Sequence, residues 1–170
     1  MGVEEFFRIG KGTKIYEPVS IVREGHYVDI GENCRIGQFT FIGARRFIMM
    51  EGAEICPQVT ISGGGEVVLG RYSTVDFGAR LIPATFTTKG RYMNDVIPER
   101  SRVVRGSITL GEGAVIGSNA VVCVSERFPD IVIGDFSVVG AGSYIDSPIP
   151  RETIVHPRKV LISKRRFTDG

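Results

Sequence analysis

Aliphatic residues recur at every sixth position through much of this chain. In the clearest stretch, residues 110–147, they fall, with one interruption, at Leu110, Ile116, Val122, Ile133, Val139 and Ile145. A period of six matches neither the 3.6 residues of an α-helix nor the 2 residues of a simple strand. Hexapeptide periods are typical of a β-helix, in which short strands stack on their copies.

Two further positions of each hexad are also regular. Glycine often follows the aliphatic residue, and a small residue such as Ala114 or Ser137 stands four places after it. Three hexads make one coil with three faces, and successive coils lie about 4.8 Å apart. We expect the aliphatic and the small residue to point inward, and the glycine to occupy a corner because it tolerates unusual φ and ψ.

The hexads begin near Ile9 and predict six to seven coils in a β-helix domain of residues 1–147. Residues 87–107 break the period with a polar, charged loop. Structureless insertions of this length are usually functional, although a tolerated corner insertion is the alternative. Residues 125–130 form a shorter corner insert. Residues 148–170, without evident hexads, are expected to be a tail that packs on the β-helix.

Composition narrows the classes of partner. The formal net charge is only +2, which favours neither nucleic acid nor membrane as a partner. The three cysteines, an odd number without metal-ligand spacing, favour a reducing cytoplasm and no metal site. No apolar run approaches the ~20 residues of a membrane span, and the N-terminus does not have the regions of a signal peptide.

Three segments carry a resemblance to a known family: ITLGEGAVIGSNAVV (108–122), IVIGDFSVVGAGSYI (131–145) and the ending IPRETIVHPRKVLISKR. They resemble the hexapeptide-repeat acyltransferases, within them the sugar and xenobiotic acetyltransferases. The resemblance implies an all-β fold, a left-handed parallel β-helix that assembles as a homotrimer. It also implies that acetyl-CoA lies in the groove between adjacent subunits, with a small-molecule acceptor at its inner end.

The resemblance also implies roles for individual residues. Ser118 and Ala141 match positions that contact the pantetheine arm of the coenzyme. Lys159 and Lys164 fall where family members carry cations near the coenzyme phosphates, although a solvated tail would have the same charge. Gln58 matches a position that contacts the acceptor, and Phe86, at the start of the long loop, is a further candidate for acceptor contact.

One departure from the family concerns the general base. Phe86 or a near neighbour stands where a histidine is expected, and no histidine occurs between Tyr27 and Val155. An alcohol acceptor needs such a base, worth about 10²–10⁴-fold in rate. A neutral amine attacks a thioester without one, so proximity can supply much of the catalysis. Backbone amides at the corners are expected to stabilise the oxyanion.

Five polar residues remain as candidates. Asp76 stands where glycine usually follows the aliphatic residue and is the candidate proton acceptor; the alternative is a turn aspartate bonded to its own backbone. His26, on an early corner, is a second catalytic candidate across a subunit interface, or simply an exposed histidine. Asn94, Asp95 and Asn119 are candidates for acceptor binding, or for caps of their own turns.

The expected function is acyl transfer from acetyl-CoA to a sugar-type acceptor, with N-acetylation of a nucleotide-linked amino sugar favoured. The alternatives are a non-catalytic assembly protein, an O-acetyltransferase with a different base, and a nucleotide-sugar binding domain of a larger enzyme. A γ-class carbonic anhydrase, which shares this fold, is excluded because it needs three histidines on zinc and this chain has two.

Overall fold

Short strands, stacked in parallel, make up the described structure. The computed structural model describes residues 5–87 and 102–157, within which the regular elements are all strands. The candidates Asn94, Asp95, Lys159 and Lys164 lie outside these residues. None of the described residues forms a helix of the length and apolarity that a membrane span needs.

Three parallel sheets form the three sides of a prism. Sheet A contains β1 (Phe6–Ile9), β4 (Tyr27–Ile30), β7 (Arg46–Met49), β10 (Glu66–Leu69), β15 (Ser107–Leu110) and β18 (Asp130–Ile133). Sheet B contains β2 (Lys14–Ile15), β5 (Arg35–Ile36), β8 (Glu54–Ile55), β11 (Thr74–Val75), β16 (Val115–Ile116), β19 (Val138–Val139) and β21 (Ile154–Val155). Sheet C contains β3 (Ser20–Ile21), β6 (Phe41–Ile42), β9 (Thr60–Ile61), β12 (Arg80–Ile82), β17 (Val121–Cys123) and β20 (Tyr144–Ile145).

The aliphatic position of most hexads ends a strand and points inward, and in β12 and β17 it is the residue before the last, Leu81 and Val122. Copies stack in register from coil to coil, as Ile36 does on Ile55 and Leu69 on Leu110, and these side chains are buried. Ala114, a small residue, is also fully buried. Burial of each large aliphatic side chain contributes about 1.5–3 kcal/mol, so the repeat itself builds the core. The predicted hexad architecture, with six coils and part of a seventh, is therefore confirmed.

Glycine follows the aliphatic residue for a different physical reason from the one expected. Gly117 does not have a positive φ, but a Cβ there would lie 2.7 Å from both the Ala141 nitrogen and the Val139 oxygen of the next coil. Positive φ occurs two residues later, as at Gly78 (65°) and Asn119 (56°). The expectation of unusual φ and ψ was wrong, because close approach of adjacent coils excludes a side chain there.

The long insertion and the C-terminal tail both contain strands that the sequence did not predict. The long insertion starts and ends as a hairpin, in which β13 (Ala84–Phe86) pairs antiparallel with β14 (Val103–Arg105). In the tail, Ile149 bridges to Ile133, and β21 pairs with β19. Ile149 and Val155 are six residues apart, so the repeat continues into the tail, which the sequence reading missed. The domain division at residue 147 stays a prediction.

Candidate active site

One corner of the prism gathers most of the described candidates. We call it the BC corner: the turns from sheet B to sheet C at residues 16–19, 37–40, 56–59, 76–79, 117–120 and 140–143, with residues 156–157 above them. Because the sheet B strands stack directly, the turns that follow them stack too, about 4.8 Å apart. Gln58, Asp76, Ser118, Asn119 and Ala141 all lie in these turns.

Asp76 joins two coils at this corner. Its Oδ2 accepts a hydrogen bond of 2.6 Å from the Ser118 hydroxyl of the next coil, and its Oδ1 accepts one of 2.8 Å from the Phe77 N–H. The position after the aliphatic residue, usually glycine, therefore holds a carboxylate anchored on both oxygens. The bond to the local backbone that the alternative interpretation expected is present. The bond from Ser118 is an additional contact that the sequence did not predict.

These contacts make Asp76 a fixed anion. The Ser118 hydroxyl is the main cause that lowers the pKa of Asp76, and the Phe77 and Ser118 backbone N–H groups and the Cys56 thiol act in the same direction. Burial acts against them and is outweighed. Hydrogen bonds to the charged form favour it. Asp76 is therefore ionised at neutral pH and is a weak base.

Cys56 occupies the equivalent position one coil below Asp76. Burial first, and the charge of Asp76 second, raise the pKa of the Cys56 thiol to about 11. The thiol is therefore protonated at neutral pH. From the sequence, this cysteine was a candidate only for disulfides and metal binding. The available signal was that Cys56 and Asp76 both replace the glycine at successive turns after sheet B strands.

Above Asp76, the corner presents polar groups in a line. The single proton of the Ser118 hydroxyl is donated to Asp76, so toward a ligand this hydroxyl can only accept. Gly142 N–H donates to the Ser118 carbonyl at 2.9 Å, which sets Ala141 directly above Ser118. Ala141 is exposed, and its N–H has no backbone acceptor within the described residues. This line can bind the amides of an extended ligand.

The upper end of this line opens into a larger cavity. It measures about 610 Å³ and is lined by residues that include Gly142, Tyr144 and His156. The Ser143 hydroxyl at its wall is buried and has no hydrogen-bond partner among the described residues. His156 is exposed at the position equivalent to Asp76 in the partial seventh coil.

Below Asp76 lies a groove, here called the lower groove. It measures about 290 Å³ and is lined by Tyr16, Arg35, Gln38, Glu54, Cys56 and Pro57, among others. Gln58 follows Pro57 with a φ of 65° and is exposed beside the groove. Ligand pockets commonly start at about 300 Å³, so the groove is wide enough for one small ring.

Two candidates lie on a different corner. His26 precedes β4 and Phe86 lies in β13, both where sheet C returns to sheet A, so neither meets Asp76 within one subunit. The His26 Nδ1 lies 2.6 Å from the Glu24 carbonyl oxygen. Phe86 lines a separate cavity with Gly64 and Arg105. Their predicted roles stay predictions.

Asn119 has a visible structural role at the BC corner. Its φ is 56°, and its Oδ1 lies over Gly78 of the coil below, where a Cβ would come within 2.6 Å of it. Asn119 therefore packs in the corner, and its predicted part in acceptor binding stays a prediction. Within residues 5–87 and 102–157 no three His, Cys, Asp or Glu side chains are grouped as a metal site requires.

Comparison with solved structures finds the same architecture in acyltransferases. AntD, an N-acyltransferase from Bacillus cereus in complex with dTDP and 3-hydroxybutyryl-CoA, superposes with a TM-score of 0.78 at 24% identity, covering 88% of this chain and 78% of AntD. The chain has the left-handed β-helix fold of the hexapeptide-repeat acyltransferases. The resemblance drawn from the three sequence segments is thus confirmed at the level of fold.

Further comparisons agree with this fold. A variant of AntD in complex with dTDP-4-amino-4,6-dideoxyglucose and coenzyme A gives a TM-score of 0.77 at 23% identity, covering 95% of this chain and 86% of AntD. A hexapeptide-repeat containing acetyltransferase from Vibrio cholerae gives 0.50 at 18% identity, covering 88% of this chain and 68% of that chain.

Among the relatives found by sequence comparison is a protein of much greater length. The bifunctional protein GlmU of Acinetobacter baylyi is 28% identical over 173 residues, which cover 94% of this chain and 33% of GlmU. The chain thus spans about a third of the length of that relative. No family model matches the chain.

Proposed function

We propose that the chain transfers an acyl group from an acyl-CoA to the amino group of a small sugar-type acceptor, at the BC corner. The observation that carries the proposal is the Asp76–Ser118 pair between the line of corner groups above it and the lower groove beneath it. In this arrangement the donor lies along Ser118 and Ala141, and the acceptor lies in the lower groove. The thioester and the amine then meet beside Asp76.

The proposed step is direct attack by the neutral amine on the thioester carbonyl carbon. The new C–N bond forms, the C–S bond breaks, and the amine proton ends on the sulfur of the departing coenzyme A. Positive charge develops on the attacking nitrogen, and the ionised Asp76 stabilises it. A carboxylate with a lowered pKa suits this role better than that of a general base.

The oxyanion needs donors that do not already bind another group. The Phe77 and Ser118 backbone N–H groups both act on the Asp76 carboxylate, so they are not free to bind a second anion. These two amides are therefore not the oxyanion donors, and the broader expectation that backbone amides at the corners supply them stays a prediction. We propose that the oxyanion is bound from a neighbouring subunit of a homotrimer, because family resemblance implies a groove between subunits.

The structural neighbours support a proposal for the two substrates. AntD binds 3-hydroxybutyryl-CoA and a dTDP-linked amino sugar, which supports an acyl-CoA donor and a nucleotide-linked amino sugar as acceptor. We therefore propose an acyl-CoA without restricting it to acetyl-CoA. We retain as proposals a cytoplasmic location, coenzyme contacts from Lys159 and Lys164, and acceptor contacts from Gln58, Phe86, Asn94, Asp95 and Asn119.

Calorimetric titration with coenzyme A and acetyl-CoA tests the donor half of the proposal. We expect micromolar binding that weakens when Lys159 and Lys164 are changed to alanine, followed by release of free thiol in the presence of an amino-sugar acceptor. Ala141→Pro removes the backbone N–H without changing charge and should also weaken coenzyme binding. Absence of binding at millimolar coenzyme would contradict the proposal.

A non-catalytic assembly protein is the second candidate. The observation that favours it is that both Asp76 oxygens already accept hydrogen bonds within the chain, as a purely structural turn would require. The same titration separates the two functions, because an assembly protein has no reason to bind coenzyme A. The Asp76→Asn variant adds a second criterion, since it should leave assembly intact in either case and lower acyl transfer only in an enzyme.

A further inference from the structure

The lower groove has opposite charges at its two ends. Arg35 lies toward the lower end and Glu54 lines the groove one coil higher, while Asp76 stands one further coil up, above the lining residues and beside the proposed point of reaction. Arg35 and Glu54 stand opposite each other in register on neighbouring strands, yet they form no ion pair among those of the described residues. Both side chains line the groove, so each can bind a ligand group there.

We propose that Arg35 binds an anionic group of the acceptor, a phosphate or diphosphate, while Glu54 and Asp76 attract its amine. This inference rests on the proposed function and extends it by giving the acceptor a direction in the groove. An arginine guanidinium binds phosphate in two parallel hydrogen bonds, which fixes orientation as well as charge. The carboxylates at the other end disfavour a phosphate there.

The strand geometry limits the length of such an acceptor. Asp76 and Arg35 are two coils apart and offset by two residues along the strand, which places their backbones roughly 10–12 Å apart. A hexose whose amine and anomeric phosphate lie on opposite sides of the ring fits this separation. A hexose whose amine adjoins the phosphate-bearing carbon cannot reach both ends at once. The groove therefore selects acceptors with the amine remote from the phosphate.

Other groups in the groove fit this direction. The Tyr16 hydroxyl and the Gln38 side-chain amide lie at the Arg35 end and can donate to phosphate oxygens. Cys56 lies between the two ends, and its protonated thiol adds no charge to the middle of the groove. A neutral sugar ring can thus pass between a cationic and an anionic end.

Binding of dTDP, compared with thymidine, tests the role of Arg35. The variants are Arg35→Ala, Arg35→Lys and the matched control Arg71→Ala, an exposed arginine on another corner. We expect Arg35→Ala to weaken dTDP binding by about 10- to 100-fold, as loss of a charged hydrogen bond does. Arg35→Lys should be intermediate, and Arg71→Ala should bind dTDP as the parent chain does. The affinity for thymidine, which has no phosphate, should be the same in the parent chain and in all three variants.

Coenzyme A binding, measured on the same samples, separates this inference from the proposed function. Equal dTDP affinity of the parent chain and Arg35→Ala would overturn the inference, and so would loss of coenzyme A affinity in parallel with dTDP. If the parent chain binds coenzyme A but not millimolar dTDP, the inference falls and the acyltransferase proposal stands. If it binds dTDP through Arg35 but no coenzyme A, the proposed function falls and the anion site stands.

Discussion

Asp76 illustrates how far one residue can be interpreted from sequence. It was singled out because it stands where glycine usually follows the aliphatic residue, and the structure gives this position a carboxylate bonded to Ser118. The partner could not be inferred, because the two residues are 42 positions apart and meet only through the stacking of particular coils. The hexad pattern defines which positions share a corner, whereas the long insertion increases the sequence separation between two coils that stack directly.

Replacement of Asp76 by asparagine should change the reactivity of Cys56. A nearby negative charge disfavours the thiolate, so removal of the charge should lower the Cys56 pKa below about 11, while the contribution from burial remains. The rate of iodoacetamide labelling at Cys56 at pH 8.5, followed by mass spectrometry, should rise several-fold. Cys34 and Cys123, which are buried, provide internal references for unfolding.

Ser118→Ala is the matched control for this experiment. It removes a hydrogen bond from Asp76 but keeps the negative charge, so the Asp76 pKa should rise while the thiol stays protonated. Cys56 should then be labelled at the same rate as in the parent chain. Equal labelling of the parent chain and the Asp76→Asn variant would mean that burial alone sets the Cys56 pKa.

At the scale of elements, the hexad pattern predicts the positions of the stacked strands but not the structure of the segments that interrupt the repeat. Most strands of the three sheets end on an aliphatic residue that the period marks in advance, as at Ile55 and Val139, whereas β7 ends on Met49 and β17 ends on Cys123. The pairing of β13 with β14 was not predictable, because these segments follow no period and are joined across the long insertion. The partial seventh coil was missed because prolines around Ile149 and Val155 obscure their spacing of six.

The glycines that follow the aliphatic residues provide an energetic test of coil packing. Gly117→Ala places a Cβ against backbone atoms of the next coil, which cannot move without shifting the coil. Gly43→Ala, at the equivalent position, meets only the ring of the exposed Phe41, which can turn away. Neither glycine has a positive φ.

We expect urea denaturation to separate these two variants. Gly117→Ala should lower the free energy of unfolding by about 1–3 kcal/mol, as overpacking does. Gly43→Ala should change it by less than about 1 kcal/mol, because alanine also restricts the unfolded chain. Similar losses in both variants would indicate that the position after the aliphatic residue is intolerant for a reason other than contact between coils.

The three corners of the prism differ in structure. The corner between sheets A and B is regular, with the Tyr72 ring over Gly52 and the Phe136 ring over Gly113. The corner between sheets C and A carries both insertions. The BC corner carries the candidate site, and an apolar strip lies beside its upper half on sheet B, where Val115, Val138 and Ile154 stand in register.

This strip gives the proposed trimer a testable surface. Val138 and Ile154 are 38% and 62% exposed, and neighbouring apolar residues of this kind mark surfaces that bind another protein. The parent chain should have three times the 18.6 kDa mass of one chain by light scattering after size exclusion. The double variant Val138→Arg with Ile154→Arg should have the mass of one chain, because charges at the core of an interface cannot be desolvated without cost.

The matched control for the trimer is Val132→Arg. Val132 is 49% exposed on the outer face of sheet A, so the substitution adds one of the two charges of the double variant to a similarly exposed strand and leaves the sheet B strip intact. It should keep the mass of the parent chain. A double variant that also keeps this mass would show that the subunits meet elsewhere, and the coenzyme groove would then have to be sought along another side of the BC corner.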